Sequence, residues 1–226
     1  MRENIPAAGI FVTGNTVIDA LRWVARRPLP FRDRVLRTLL FSCPGRVVLV
    51  TAHRRENFGA PLLNICLALK KTADAFPDVH FVYPVHPNPN VQAVVRETLA
   101  RHPQIHLLPP LGYPDLAGLL RKSVLVVTDS GGLQEEAPSF GKPVLVLRKV
   151  TERPEAVKAG TARVIGTDED RIVREISRLL RDPRAYRRMA NAVNPYGDGR
   201  AADRIAAAIA FHFGLSRGCP HDFRPH

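Results

Sequence analysis

The sequence predicts an α/β fold built on a doubly wound parallel sheet of about six strands, and three observations carry that expectation. From Arg46 onward, short apolar runs alternate with segments of helical periodicity, the order produced when strands are joined by crossover helices rather than hairpins. Runs such as 47–50 and 124–127 are continuously apolar, as strands buried on both faces require. Polar and charged residues gather just past these runs, where open parallel sheets collect their ligands. At 226 residues, 45% hydrophobic and 24% charged, the chain has the composition of a soluble globular protein and enough length for one sizeable core.

Taken in order, residues 1–10 are short and polar, and Pro6 and Gly9 disfavour a regular element there. Residues 11–21 read as an extended piece, a turn at Gly14, and a helix that Asn15 or Thr16 can cap. Pro28 and Pro30 end it, and a second helical segment at 31–41 stops before Pro44 and Gly45. Together 1–45 forms a lead-in outside the sheet. Strands are expected at 47–50, 79–83, 105–108, 124–127, 144–147 and 162–165. Helices are expected at 61–76, 90–101 and 114–121, and from Gly132 and Pro154. This places a ligand-binding domain at 46–199, a crossover helix at 200–213 with Ile205, Ile209 and Phe213 on its apolar face, and a disordered tail at 214–226.

A formal charge of +12 suits an anionic partner. Much of the excess lies in the helical stretch 171–188, where Arg171, Arg174, Arg178 and Arg181 recur between apolar residues, the pattern of a solvated helix face. The interleaved aromatics of a single-strand nucleic-acid binder are missing. Cys43, Cys66 and Cys219 are widely spaced without metal-ligand spacing and read as reduced thiols of a cytoplasmic protein. No stretch has the roughly 20 apolar residues of a membrane span.

The stretch 128–138 organises the rest. It leaves a buried strand and enters a helix that Ser130 can cap; Gly131 and Gly132 admit backbone amides to a phosphate, and Glu136 can reach toward a ribose or sugar hydroxyl. The same turn could serve geometry alone. Other strand ends converge on it: 51–57 with His53, Arg54 and Arg55; 84–89 with His86; and 148–155 with Arg148, Arg153 and Glu155. His53, Arg54 and Arg55 need an anion or carboxylate to offset their charge. His80, His102, His106 and His212 read as packed or exposed histidines. Neither GxGxxG nor a Walker loop is present, so no nicotinamide cofactor or ATP is expected, nor any metal.

Six blocks, 11–20, 51–57, 84–89, 129–138, 151–156 and 194–199, together resemble the non-hydrolysing UDP-N-acetylglucosamine 2-epimerases, over about residues 9–209 and in that family's C-terminal half only. The resemblance implies a Rossmann-like unit equivalent to the C-terminal domain of a glycosyltransferase-B-type fold, with the first domain absent. The family reaction converts UDP-GlcNAc to UDP-ManNAc by eliminating UDP and adding it back to the other face of a 2-acetamidoglucal, a step in cell-envelope polysaccharide synthesis. Ser130, Gly131, Gly132 and Glu136 then correspond to the diphosphate and ribose site, and His53 to a catalytic residue steadying the UDP leaving group. Arg54 and His86 match a second, activating UDP-GlcNAc site, with Arg55, Arg148 and Arg153 as further candidates. Leu116 stands where the family often has an aromatic on the uracil, with Tyr113 as a substitute. The carboxylates for proton transfer at C-2 belong to the missing half, and nothing assigns that role to Glu135, Glu152 or Glu155.

The resulting expectation is an isomerase half that is inactive alone and binds UDP or UDP-GlcNAc. Its expected partners are a chain carrying the first domain or a second copy, with no nucleic acid, membrane or cofactor. A non-catalytic UDP-sugar-binding module and a glycosyltransferase fragment are the alternatives.

Overall fold

The structure, a computed structural model, describes residues 5–27, 31–42 and 45–225. Six strands, β1 (Arg46–Thr51), β2 (Val79–Pro84), β3 (Ile105–Leu108), β4 (Leu125–Thr128), β5 (Val144–Val146) and β6 (Ala162–Val164), form one sheet in the order β3-β2-β1-β4-β5-β6. Every pairing is parallel. Strand order reverses between β1 and β4, so the loops leaving these two strands diverge to opposite faces and open a crevice at their carboxyl ends.

Alternation along β1 shows how both faces are filled. Val48 and Val50 enter one apolar cluster with Leu69, Phe81 and Ile176, whereas Val47 and Leu49 enter the other with Leu21, Leu36, Leu120 and Val126. Helices α3 (Ala60–Ala75), α4 (Pro89–Leu99), α8 (Glu169–Arg181) and α9 (Pro183–Ala190) contribute buried residues to the first cluster. Helices α1 (Thr16–Ala25), α2 (Arg34–Ser42), α5 (Tyr113–Lys122), α6 (Gly131–Glu136) and α7 (Pro154–Ala159) contribute to the second. The segment expected as a lead-in is therefore a packed layer of the fold, because Leu21 and Leu36 are as buried as the strands they cover. Asn15 caps α1 by accepting from the Val17 N–H at 3.0 Å. The expected stops at Pro28, Pro30 and Pro44, and Cys43, lie outside the described residues. Cys66 is buried, which pushes its thiol up to about 12, and Cys219 is exposed.

Three expectations change. Residues 171–188 are not one helix: α8 ends at Arg181, and Pro183 opens α9 with Asp182 accepting from the Arg184 and Ala185 N–H groups. Arg171, Arg174, Arg178 and Arg181 do lie on the exposed face. Every strand but β3 differs by a residue at one or both ends, β4 running from Leu125 to Thr128 and β5 and β6 ending at Val146 and Val164. Past α10 (Ala201–His212), residues 214–225 are not the disordered tail expected: Phe223 is buried, its N–H donates to the Val12 carbonyl at 2.6 Å, and Asp222 accepts from the Val12 N–H at 2.9 Å. A tail of low periodicity still packs when one aromatic finds a groove, here beside Gly14 and Arg204. Ile209 and Phe213 of the α10 region stay exposed.

Candidate functional site

Asp129 is the centre of the site. It is wholly buried at the end of β4, and its Oδ2 accepts from the His53 N–H and the Arg54 N–H at 2.8 Å each and from Asn57 Nδ2 at 3.0 Å. A buried carboxylate persists only when donors replace its water, and three N–H groups on one oxygen supply that. Asn57 also donates to the Leu147 carbonyl at 3.1 Å, so the loops after β1, β4 and β5 meet at one point. Below it, the Thr51 and Thr128 hydroxyls share a 2.6 Å hydrogen bond and Thr128 Oγ1 accepts from the Ser130 N–H at 2.9 Å. Sequence reasoning did not select Asp129 or Asn57. The only signal was a charged residue directly after an apolar run, and nothing in the sequence marks it as buried.

The His53 ring leans on this hub, with Nδ1 3.6 Å from Asp129 Oδ1. His86, arriving from the loop after β2, stacks on it with centroids 5.3 Å apart and planes at 14°. Burial holds the His53 imidazole below its ordinary range; Asp129 opposes that, while His86 and Arg54 reinforce it. The two histidines, expected to serve different sites, are thus neighbours.

Ser130 occupies the cap position of α6, yet its side chain bonds none of the helix amides, correcting the expected cap. A Cβ on Gly131 would fall 2.8 Å from Glu152 Oε1, so the glycine lets that carboxylate lie against the helix start. Glu152 also accepts from Arg54 at 3.0 Å and pairs with Arg148, which reaches Glu56 at 2.6 Å. Burial opposes its ionisation, but its own backbone N–H, Arg148 and Arg54 keep Glu152 below the usual carboxylate range. The anion required by the cluster of cations is partly the protein's own. Arg153 pairs with Glu135, whose other oxygen accepts from Asn15 at 2.6 Å. Arg55 is exposed on a short 3-10 helix, Arg55–Asn57.

Glu136, nearly buried, accepts from the Tyr113 hydroxyl at 2.9 Å. Burial raises its carboxyl, with Glu135 adding to the effect and the Tyr113 hydrogen bond opposing it. Burial and Glu136 in turn push the Tyr113 phenol up. Leu116 follows on α5, half-buried and packed against the second apolar cluster. The block 194–199 braces this side: Asn194 donates to the Glu135 carbonyl at 3.2 Å, and the Tyr196 hydroxyl accepts from the Ala156 N–H at 3.1 Å. The site therefore offers stacked imidazoles, arginines and a glycine-rich helix start, a set suited to a phosphorylated ligand. Among the described residues there is no group of three or more His, Cys, Asp or Glu able to hold a metal ion, and no helix long and apolar enough to cross a membrane.

Comparison with known proteins follows the same lines. Residues 1–210 match the family described as UDP-N-acetylglucosamine 2-epimerase. The UDP-N-acetylglucosamine 2-epimerase of Escherichia coli K12 is 49% identical over 214 residues, covering 92% of this chain and 57% of the relative. An S. aureus protein in a co-structure with UDP superposes with a TM-score of 0.90 at 42% identity, covering 99% of this chain and 60% of that one. The Neisseria meningitidis UDP-GlcNAc 2-epimerase bound to UDP-GlcNAc gives 0.83 at 41% identity, covering 92% and 57%. The C-terminal domain of a Francisella tularensis group 1 glycosyl transferase, 14% identical, shares the fold alone, with a TM-score of 0.56 over 72% of this chain and 90% of that domain. The chain spans less than three fifths of the length of the curated relatives it matches. With its matched residues, its six-stranded parallel sheet and its strand-end blocks in accord, the chain belongs to the UDP-N-acetylglucosamine 2-epimerase family.

Proposed function

We propose that this chain is the UDP-holding part of an epimerase that interconverts UDP-GlcNAc and UDP-ManNAc by elimination and re-addition of UDP. The observation that carries the reading is the junction at Asp129, which sets His53, Arg54 and the start of α6 around the crevice where strand order reverses. Relatives at 41–42% identity have been solved with UDP and with UDP-GlcNAc, which supports the ligand class. Ser130, Gly131 and Gly132 would take the diphosphate, Glu136 the ribose, and Tyr113 and Leu116 the uracil. His53, taking up a proton as the diphosphate arrives, would donate to the β-phosphate as negative charge develops on the departing oxygen. His86, stacked on His53, and Arg54 would act on that side or at a second UDP-GlcNAc molecule, with Arg55, Arg148 and Arg153 around them.

Proton transfer at the sugar C-2 is assigned elsewhere than to these residues. Glu56, Glu135 and Glu152 are each already engaged by an arginine, and the arginines keep Glu152 below the usual carboxylate range, which makes it a weak base. Glu136 is committed to Tyr113. Calorimetric titration with UDP and UDP-GlcNAc, followed by a C-2 proton-exchange assay in deuterated water, tests the reading. Saturable binding without exchange is expected, and Ser130→Arg should abolish the binding. Failure to bind UDP overturns the site, and exchange by the chain alone overturns the placing of the acid and base.

A further inference from the structure

We propose that Asp129 is a positioning residue for His53, holding the imidazole as its Nδ1–H tautomer with Nε2 turned away from the core. The functional consequence rests on the proposed role of His53 toward UDP; the geometry does not. Asp129 has 0% exposure, and its two oxygens are used unequally. Oδ2 takes three N–H donors, the environment of a carboxylate acceptor. Oδ1 is equally buried and has no hydrogen-bond partner among the described residues. Such an atom is rare in a folded protein, since a buried acceptor left unpaired has lost its water without replacement.

The group it faces is His53 Nδ1, at 3.6 Å. That exceeds a hydrogen bond by about half an ångström, and contacts in ligand-free catalytic sites are often loose and tighten when the ligand arrives. An acceptor facing a ring nitrogen selects the tautomer that carries its proton there. Nε2, across the ring, is then the unprotonated nitrogen, free to take a proton or accept from a ligand. Two restraints limit ring rotation: Asp129 at one edge, and the His86 face stacked at 5.3 Å. The same carboxylate holds the backbone N–H groups of His53 and Arg54, so one residue sets both the loop and the ring.

A merely structural Asp129 would tie the loops without choosing a tautomer, and that difference can be read directly. Histidine-ring nitrogen NMR on the purified chain, above neutral pH, with His53 assigned by the loss of its signals in His53→Gln, should show a protonated Nδ1 and an unprotonated Nε2. Asp129→Asn keeps an oxygen for the three donors and presents an amide N–H to the ring, so the proton should move to Nε2 and the two nitrogen shifts exchange character. A wild-type His53 protonated at Nε2, or a tautomer unchanged in Asp129→Asn, would overturn the proposal. If that variant does not fold, the wild-type spectrum decides. Absence of UDP binding beside an Nδ1–H His53 would remove the UDP reading and leave the positioning role; UDP binding beside an Nε2–H His53 would do the reverse.

Discussion

Two histidine pairs lie at opposite ends of the same sheet. His53 and His86 follow the carboxyl ends of β1 and β2, whereas His80 and His106 sit at the beginnings of β2 and β3. Ring centroids are 5.3 Å apart in both. The second pair satisfies itself through a 3.0 Å Nδ1–Nε2 hydrogen bond. The first stacks instead, and a buried carboxylate oxygen with no hydrogen-bond partner among the described residues faces one of its rings. Residue type and spacing are therefore poor guides to role. The end of the sheet and the neighbouring charge separate a pair that closes on itself from one left open to a ligand.

The largest expected effect comes from breaking the open end. Asp129→Ala leaves the His53 and Arg54 N–H groups and the Asn57 amide without their acceptor, and at roughly 1–3 kcal/mol per buried unpaired group the chain should lose about 3 kcal/mol or more in urea denaturation. A loss below about 1 kcal/mol would mean that water replaces the carboxylate. Next comes proton uptake on binding. His53 is held below its ordinary range when free, so an arriving diphosphate should raise it and draw up part of a proton near pH 7. Calorimetric enthalpies should then vary with the ionisation enthalpy of the buffer, lose that dependence in His53→Gln, and keep it in His106→Gln.

Smaller effects sharpen the contrast from the closed pair. His106→Gln removes the bond to His80 and should cost about 1 kcal/mol near neutral pH, with UDP affinity unchanged. Burial and His80 hold His106 below the ordinary imidazole range, as burial chiefly does for His53. The unfolded chain therefore takes up protons first on acidification. Stability from both groups is intact above about pH 6.5 and is lost as pH falls through that value toward the lowered folded-state pKa. The acid limb of urea midpoints against pH should flatten in His106→Gln, and an unchanged slope would show that carboxylates dominate it.

The sheet was legible because a parallel strand must be apolar on both faces, which writes runs such as Val47 to Val50 plainly into the chain. His53, His86 and Ser130 were legible because they follow such runs. What escaped depends on contacts across loops. The burial of Asp129 and the pairing of Glu152 with Arg54 and Arg148 join segments 75 and 98 residues apart for Arg54 alone, and neither leaves a periodic trace. The break between α8 and α9 was written as Asp182-Pro183, but the arginine rhythm continues across it. Phe223 shows the opposite difficulty: a single aromatic in an aperiodic stretch gives no pattern, yet it finds a seat.

That seat closes a long loop. Val12 and Asp222, 210 positions apart, hydrogen-bond to each other, and Phe223 donates back to Val12. Because closure entropy rises with the logarithm of loop length, this is where a covalent staple would remove the most freedom from the unfolded chain.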